Sequence, residues 1–252
     1  MKAFLTLLWA IWIDTMLPCM VLSADQIGKV ISLEGVALVT KVNGETRTLA
    51  INSSVYLDDR VVTRDGAKIQ IRFLDDSVIA QGEKSEMLID NYIFNPSEKE
   101  KVNCALELIR GVFRVVTGKI VDLNPERFKV RTRMATIGIR GCEIGCVLYG
   151  KSEDVLILRI TDGKSIQVEA LRADVRIMDR VVNVLKEGVC ISVLEEMGLI
   201  QRPLTIHEAA NLIRESTPQS GPGYPMELSP NAHASIQDIK DQTATDASKK
   251  TT

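Results

Sequence analysis

Two histidines, His207 and His233, are the only imidazoles in the 252-residue chain. Histidine is the side chain whose ordinary pKa suits proton transfer near neutral pH. A Ser-His-Asp site needs that imidazole held rigidly beside its nucleophile. His207 stands in a helix-start motif, Thr205-Ile206-His207-Glu208, and His233 in a polar tail, so neither meets the need. The neighbouring carboxylates Asp58-Asp59 and Asp75-Asp76 could divide into an acid and a base. Adjacent strand residues point to opposite faces, however, and both pairs sit in turn-like stretches where Asp stabilises the backbone locally. No catalytic residue is assigned, and an enzyme is not expected.

Cys104, Cys142, Cys146 and Cys190 are the next candidates. The Cys142–Cys146 spacing is neither the thioredoxin-like nor the zinc-ribbon pattern. If 142–149 is a strand, Cys142, Ile144 and Cys146 share one face. Their sulfurs then stand ~13 Å apart at ~3.3 Å per residue, too far for a mutual disulfide. The expectation is four small apolar side chains packed in a core, with a bridge to Cys104 or Cys190 left open in an oxidising compartment. No metal site and no cofactor are expected.

The cations Arg127, Lys129, Arg131 and Arg133 alternate with Phe128, Val130, Thr132 and Met134. On a strand, that alternation puts four positive charges on one face. Such a ladder could meet an anionic envelope polymer or the acidic surface of an envelope protein. The favoured alternative is a solvated face that keeps a strand from pairing with other chains. Nucleic acid is not expected as a partner, because 31 Lys and Arg are offset by 33 Asp and Glu, for a net charge of −2. Sugar stacking is weakly supported. Both tryptophans, Trp9 and Trp12, lie near the N-terminus, leaving Tyr56, Tyr92, Tyr149 and Tyr224.

The elements that must position these residues read as β-strands. Positions 25–204 hold 23 Val and 19 Ile, stiff side chains that suit a pleated surface. Ala67, Ile69, Ile71 and Phe73 alternate with Lys68, Gln70 and Arg72. Turn signals punctuate such runs at Asn43-Gly44, Asp65-Gly66, Asp75-Asp76-Ser77 and Asp162-Gly163. Short strands at this spacing predict an all-β sandwich or barrel. A faint repeat supports stacked sheets. Gly35, Gly111 and Gly188 each precede alternating apolar residues, at separations of 76 and 77. Thr205 and Glu208 form a capping box for a helix over 205–215, with Ile206, Ala209, Ala210 and Ile213 on its buried face. Positions 216–252 hold four of the eight prolines and are otherwise polar, so a disordered tail is expected.

The first 24 residues read as a secretory leader. Lys2 precedes the ten-residue run Phe4 to Ile13, and Leu22-Ser23-Ala24 offers a small residue for cleavage. A membrane span needs ~20 apolar residues, so none is expected in the mature chain. The predicted location is the periplasm, by export and cleavage after Ala24. Lipidation at Cys19, giving an outer-membrane lipoprotein, is the alternative; Pro18 beside the cleaved bond disfavours it.

The motifs of the mature chain resemble the FecR domain family of periplasmic β domains. Gly138-Ile139-Arg140-Gly141-Cys142-Glu143-Ile144 is similar to that family's G-I-R-G-T-x-F signature. Also similar are Asp59-Arg60-Val61-Val62-Thr63, Phe73-Leu74-Asp75-Asp76-Ser77, 111–119 and 124–132. Cys142 departs from the usual Thr, Ile144 from Phe, and Arg133 from the Pro that commonly follows Thr132. The resemblance implies a stacked, short-stranded β-sandwich or solenoid-like FecR domain over 25–150. Residues 151–204 would be a β extension packed on it, followed by the 205–215 helix and the tail. Arg140 of the signature joins Arg127, Lys129, Arg131 and Arg133 as a candidate binding cation. FecR regulators of sigma factors carry cytoplasmic helices before a span, and only Met1-Lys2-Ala3 precede the apolar run here. The expectation is therefore an exported, non-enzymatic module that binds a partner or supports an envelope assembly. A FecR-type receiver in cell-surface signalling is the runner-up, and an envelope hydrolase ranks last.

Overall fold

The computed structural model describes residues 25–171, 181–195 and 198–219, so the leader, Cys19, His233 and the tail beyond 219 lie outside it. Period-two burial, the consequence of the Val- and Ile-rich alternation, organises strands such as 37–40, 60–63, 128–131, 135–139 and 166–170, whereas 78–81 and most of 142–149 are buried on both faces. In chain order the first eight are β1 (Gln26–Glu34), β2 (Ala37–Thr40), β3 (Thr46–Thr48), β4 (Ser54–Tyr56), β5 (Arg60–Thr63), β6 (Lys68–Phe73), β7 (Val78–Gln81) and β8 (Glu86–Ile93). The long β9 (Asn103–Val116) follows, then the one-turn helix α1 (Ile120–Leu123) and a 3-10 turn at Pro125–Arg127. The remaining strands are β10 (Phe128–Arg131), β11 (Ala135–Ile139), β12 (Cys142–Tyr149), β13 (Ser152–Ile160), β14 (Ile166–Ala170), β15 (Val181–Val184), β16 (Val189–Leu194) and β17 (Gly198–Pro203). The helix α2 (Ile206–Ser216) comes last.

These strands form two layers that share β9. One layer runs β4-β1-β6-β7-β9-β12-β13-β16-β17. The other runs β3-β2-β5-β8-β9-β10-β11-β14-β15. Every pairing is antiparallel except β9 with β10. The inner faces bury one continuous core that includes Val39, Ile69, Ile89, Val115, Phe128 and Ile137. Across it the Phe73 and Tyr92 rings stack with centroids 5.3 Å apart, one from each layer. The all-β expectation holds, and the winding explains why both sandwich and solenoid descriptions fit. From β10 onward the chain lays hairpins alternately in the two layers: β10-β11, β12-β13, β14-β15, β16-β17. Strands β13 to β17 thus continue both layers by strand pairing.

The repeated glycines mark the crossings between layers. Gly35 lies between β1 and β2, Gly188 between β15 and β16, and Gly111 at the point where β9 itself changes layer. All three have positive φ, +71°, +107° and +75°, a region open to glycine at little cost.

Helix α2 covers the outer side of the first layer. Its capping box is formed: the Glu208 N–H donates to Thr205 Oγ1 at 3.3 Å, and the Thr205 N–H to Glu208 Oε2 at 2.9 Å. Ala209, Leu212 and Ile213 pack on Val112, Leu156, Leu158, Cys190 and Leu204. Ala210, expected on that face, is exposed, and Leu212 takes the inward place. Leu212 lies against Gly145, where any side chain would meet its methyl groups at 2.4 Å.

Candidate functional site

Each carboxylate pair serves a turn. Asp58 and Asp76 adopt positive φ, +63° and +66°, as turn residues of this type tolerate. Asp59 is buried and accepts from the Tyr56 N–H at 2.9 Å, and burial pushes its carboxyl above the ordinary range. Asp75 sits at a joint between the layers. Its Oδ2 accepts from the Ser77 hydroxyl at 2.6 Å, its Oδ1 accepts from the Tyr92 hydroxyl at 3.0 Å, and its backbone N–H donates to Tyr92 Oη at 2.9 Å. The Ser77 hydroxyl in turn accepts from the Gly118 N–H at 2.8 Å. The Phe73–Ser77 motif therefore ties the β6-β7 turn to β8 and to the entry of α1.

The G-I-R-G signature is another crossing. Ile139 ends β11 in one layer, Gly141 turns with φ +104°, and Cys142 begins β12 in the other. Arg140 holds this corner by an ion pair with Glu126 at 2.8 Å and by its N–H to the Ser165 carbonyl at 3.1 Å.

The other candidate cations are distributed differently from a four-rung ladder. Lys129 and Arg131 do share the outward face of β10, alternating with buried Phe128 and Val130. Arg131 pairs with Asp90 at 2.5 Å. Arg127 belongs to the 3-10 turn. Arg133 stands in the hairpin turn between β10 and β11, where its guanidinium donates to the Gly150 carbonyl. His207 is exposed on the first turn of α2.

All four described cysteines are free and buried. Burial pushes the Cys142 and Cys190 thiols up to about 12 and raises Cys104 and Cys146 as well. The thiolate is the reactive form. At pH ~8 the native protein should therefore resist a thiol reagent at these four positions over minutes in which the denatured chain is fully labelled. Peptide mass mapping reads the outcome, and rapid native labelling of any one of them would contradict its placement.

Sequence reasoning missed one constellation. The β10-β11 turn and the β12-β13 turn face each other at the point where β9 changes layer. Glu153 of β13 reaches across to accept from the Thr132 hydroxyl and, at 3.2 Å, from the Met134 N–H. Burial raises the Glu153 carboxyl, outweighing those donors and the nearby Arg133. The folded state thus holds this proton more tightly than the unfolded chain. Glu153 adds stability below the ordinary glutamate range, and that contribution is lost as pH rises through the raised value. Glu153→Gln should flatten the fall in melting temperature from about pH 4 upward; an unchanged pH slope would refute the assignment. Beside this bridge the two turns leave a cavity of about 230 Å³, bordered by Arg110, Arg133 and Tyr149.

Residues 59–176 match the family described as FecR protein. Two crystal structures of a candidate anti-sigma factor from Parabacteroides distasonis ATCC 8503 align with 73% of this chain and with 92% and 91% of theirs. Their sequence identities are 13% and 14%, and both TM-scores are 0.44. No curated protein matches the chain.

Proposed function

We propose that this chain, whose residues 59–176 form a FecR domain, is a non-enzymatic binding module that receives a partner protein in FecR-type signalling at the cell envelope. The family match carries the reading. The side-chain chemistry agrees with it, because the groups that resembled catalytic candidates are committed to turns and layer crossings. Asp75 is held by Ser77 and Tyr92, Asp59 by the Tyr56 N–H, and the buried thiols are kept protonated.

In this reading the leader exports the chain to the periplasm, and cleavage after Ala24 releases it. Attachment through Cys19 is the competing route to the envelope. The occupant is an envelope protein, with an anionic envelope polymer as the rival. In-cell cross-linking of the intact protein followed by mass spectrometry tests the choice. Capture of a membrane-associated signalling protein is expected; cross-links to polysaccharide alone would overturn the reading.

Export has an optical test. Trp9 and Trp12 are the chain's two tryptophans, and both precede the proposed cleavage site. Protein recovered from the periplasm should emit as tyrosine only, with an intact mass beginning at Asp25. A mass beginning at an acylated Cys19 would replace the soluble form by the lipoprotein. A tryptophan band would mean the leader is retained.

A further inference from the structure

The cavity between the two hairpin turns is built and held from both layers. Thr132 and Met134 in one turn grip Glu153 behind the other, and Arg133 donates to the Gly150 carbonyl across the gap. Ile109 and Leu148 supply apolar wall, while Arg110, Arg133 and Tyr149 form the rim. We propose that this cleft binds an acidic side chain presented by the partner protein, with Arg110 and Arg133 as its carboxylate-binding groups. The inference rests on the partner-binding reading above and adds to it a site and a chemistry.

Three features point to a carboxylate. Arg110 has a side chain 61% exposed and is met on one side by Glu86 at 3.2 Å. A guanidinium carries five N–H donors in a planar fork, so Glu86 on Arg110, and the Gly150 carbonyl and Met134 Sδ on Arg133, leave further donors on two side chains that line the cleft. Ile109 and Leu148 back the two guanidinium groups with apolar surface, and a contact between ionised partners is stronger than a neutral one. Tyr149 is 53% exposed and offers a rigid ring with a hydroxyl, the kind of anchor interfaces favour. Glu153 limits the depth of entry. It is buried, and the Thr132 and Met134 donors both bind its Oε2, so an incoming anion is met at the rim and not at the floor.

Size argues for a side chain of a larger partner. At about 230 Å³ the cleft falls below the ~300–1,000 Å³ typical of small-molecule sites, yet it accommodates a glutamate or aspartate. Lys129 provides a contrast: it projects from the outer face of β10, away from the cavity lining.

Calorimetric titration of the purified protein with a capped tetraglutamate peptide, and with its tetraglutamine counterpart, tests the proposal. The wild type should bind tetraglutamate and not tetraglutamine. Arg110→Gln and Arg133→Gln should each weaken binding about tenfold, the scale of one charge-assisted hydrogen bond, and rising salt should weaken it further. Arg133→Lys keeps the charge but loses the fork, so it should fall between wild type and Arg133→Gln. Lys129→Gln should bind as the wild type does. Absence of tetraglutamate binding, equal binding of tetraglutamine, or an equal loss in Lys129→Gln would each overturn the site. Circular dichroism confirms that the variants are folded. Unchanged partner capture in cells by the Arg110→Gln, Arg133→Gln double variant would reject the cleft while preserving the partner-binding reading.

Discussion

Ile69→Asp is expected to abolish folding, while Arg72→Asp on the same strand leaves a stable protein. Ile69 is fully buried in the core between the layers, flanked in its own sheet by Leu33 of β1 and Gln81 of β7. An unpaired carboxylate there costs several kcal/mol or forces the group to take up a proton, and either penalty is comparable with the ~5–15 kcal/mol that stabilises a domain. Arg72 faces solvent, where most substitutions change stability by no more than about 0.5 kcal/mol. Denaturant unfolding followed by circular dichroism separates the two. Equal midpoints would mean that the face assignment of β6 is wrong.

The alternation that identifies Ile69 also shows what a sequence pattern leaves open. Period two states which residues share a face, but it does not state whether the other face is covered. Gln70 alternates with Ile69 and so belongs to the opposite face, which a one-sided sheet would leave in solvent, yet it too is fully buried. The reason is that the first layer carries structure on both sides, with α2 packed on its outer surface. Gln70→Asp, harmless on a one-sided sheet, is therefore expected to destabilise. The cation run fails for a different reason. Thr132, Arg133 and Met134 continue the alternation of β10, but they form the hairpin turn. No glycine or asparagine announces that turn. The one available signal was Arg133 standing where the family commonly has proline, a residue suited to turns.

The carboxylate cleft had no local signature at all. Arg110 comes from the crossing in β9, Arg133 from one hairpin turn, Tyr149 from the end of β12, and Glu153 from β13. Only the winding of hairpins between layers brings them together. The Asp75 joint is an intermediate case. Asp75-Asp76-Ser77 is legible as a turn, but its partner Tyr92 lies on another layer. Local chemistry marks the turn, and long-range pairing decides what the turn holds.

The crossing glycines were the opposite case, since a faint sequence echo marked a real backbone requirement. Gly111→Ala is expected to lower the melting temperature by roughly 10 °C, and Gly44→Ala by only a few degrees. Both glycines have positive φ, +107° and +83°, so both substitutions carry backbone strain of about 1–3 kcal/mol. They differ in the space around the added methyl. At Gly44 nothing lies within 4 Å, whereas at Gly111 the methyl would stand 2.0 Å from Ser85 Oγ and 2.6 Å from Ser85 Cα. Ser85 has little freedom to retreat. Its hydroxyl accepts from the Val112 N–H at 3.0 Å and donates to the Glu83 carbonyl at 2.9 Å, which pins β9 at its change of layer. Forcing it aside adds about 1–3 kcal/mol of overpacking, and each kcal/mol moves the transition of a domain this size by about 2–4 °C. Gly35, whose methyl would meet Ala67 at 2.9 Å, should fall between the two. Scanning calorimetry on the three alanine variants reads the order directly. If Gly111→Ala melted within error of Gly44→Ala, the close approach at the β9 crossing would be wrong, and with it the placement of the cleft that this crossing opens.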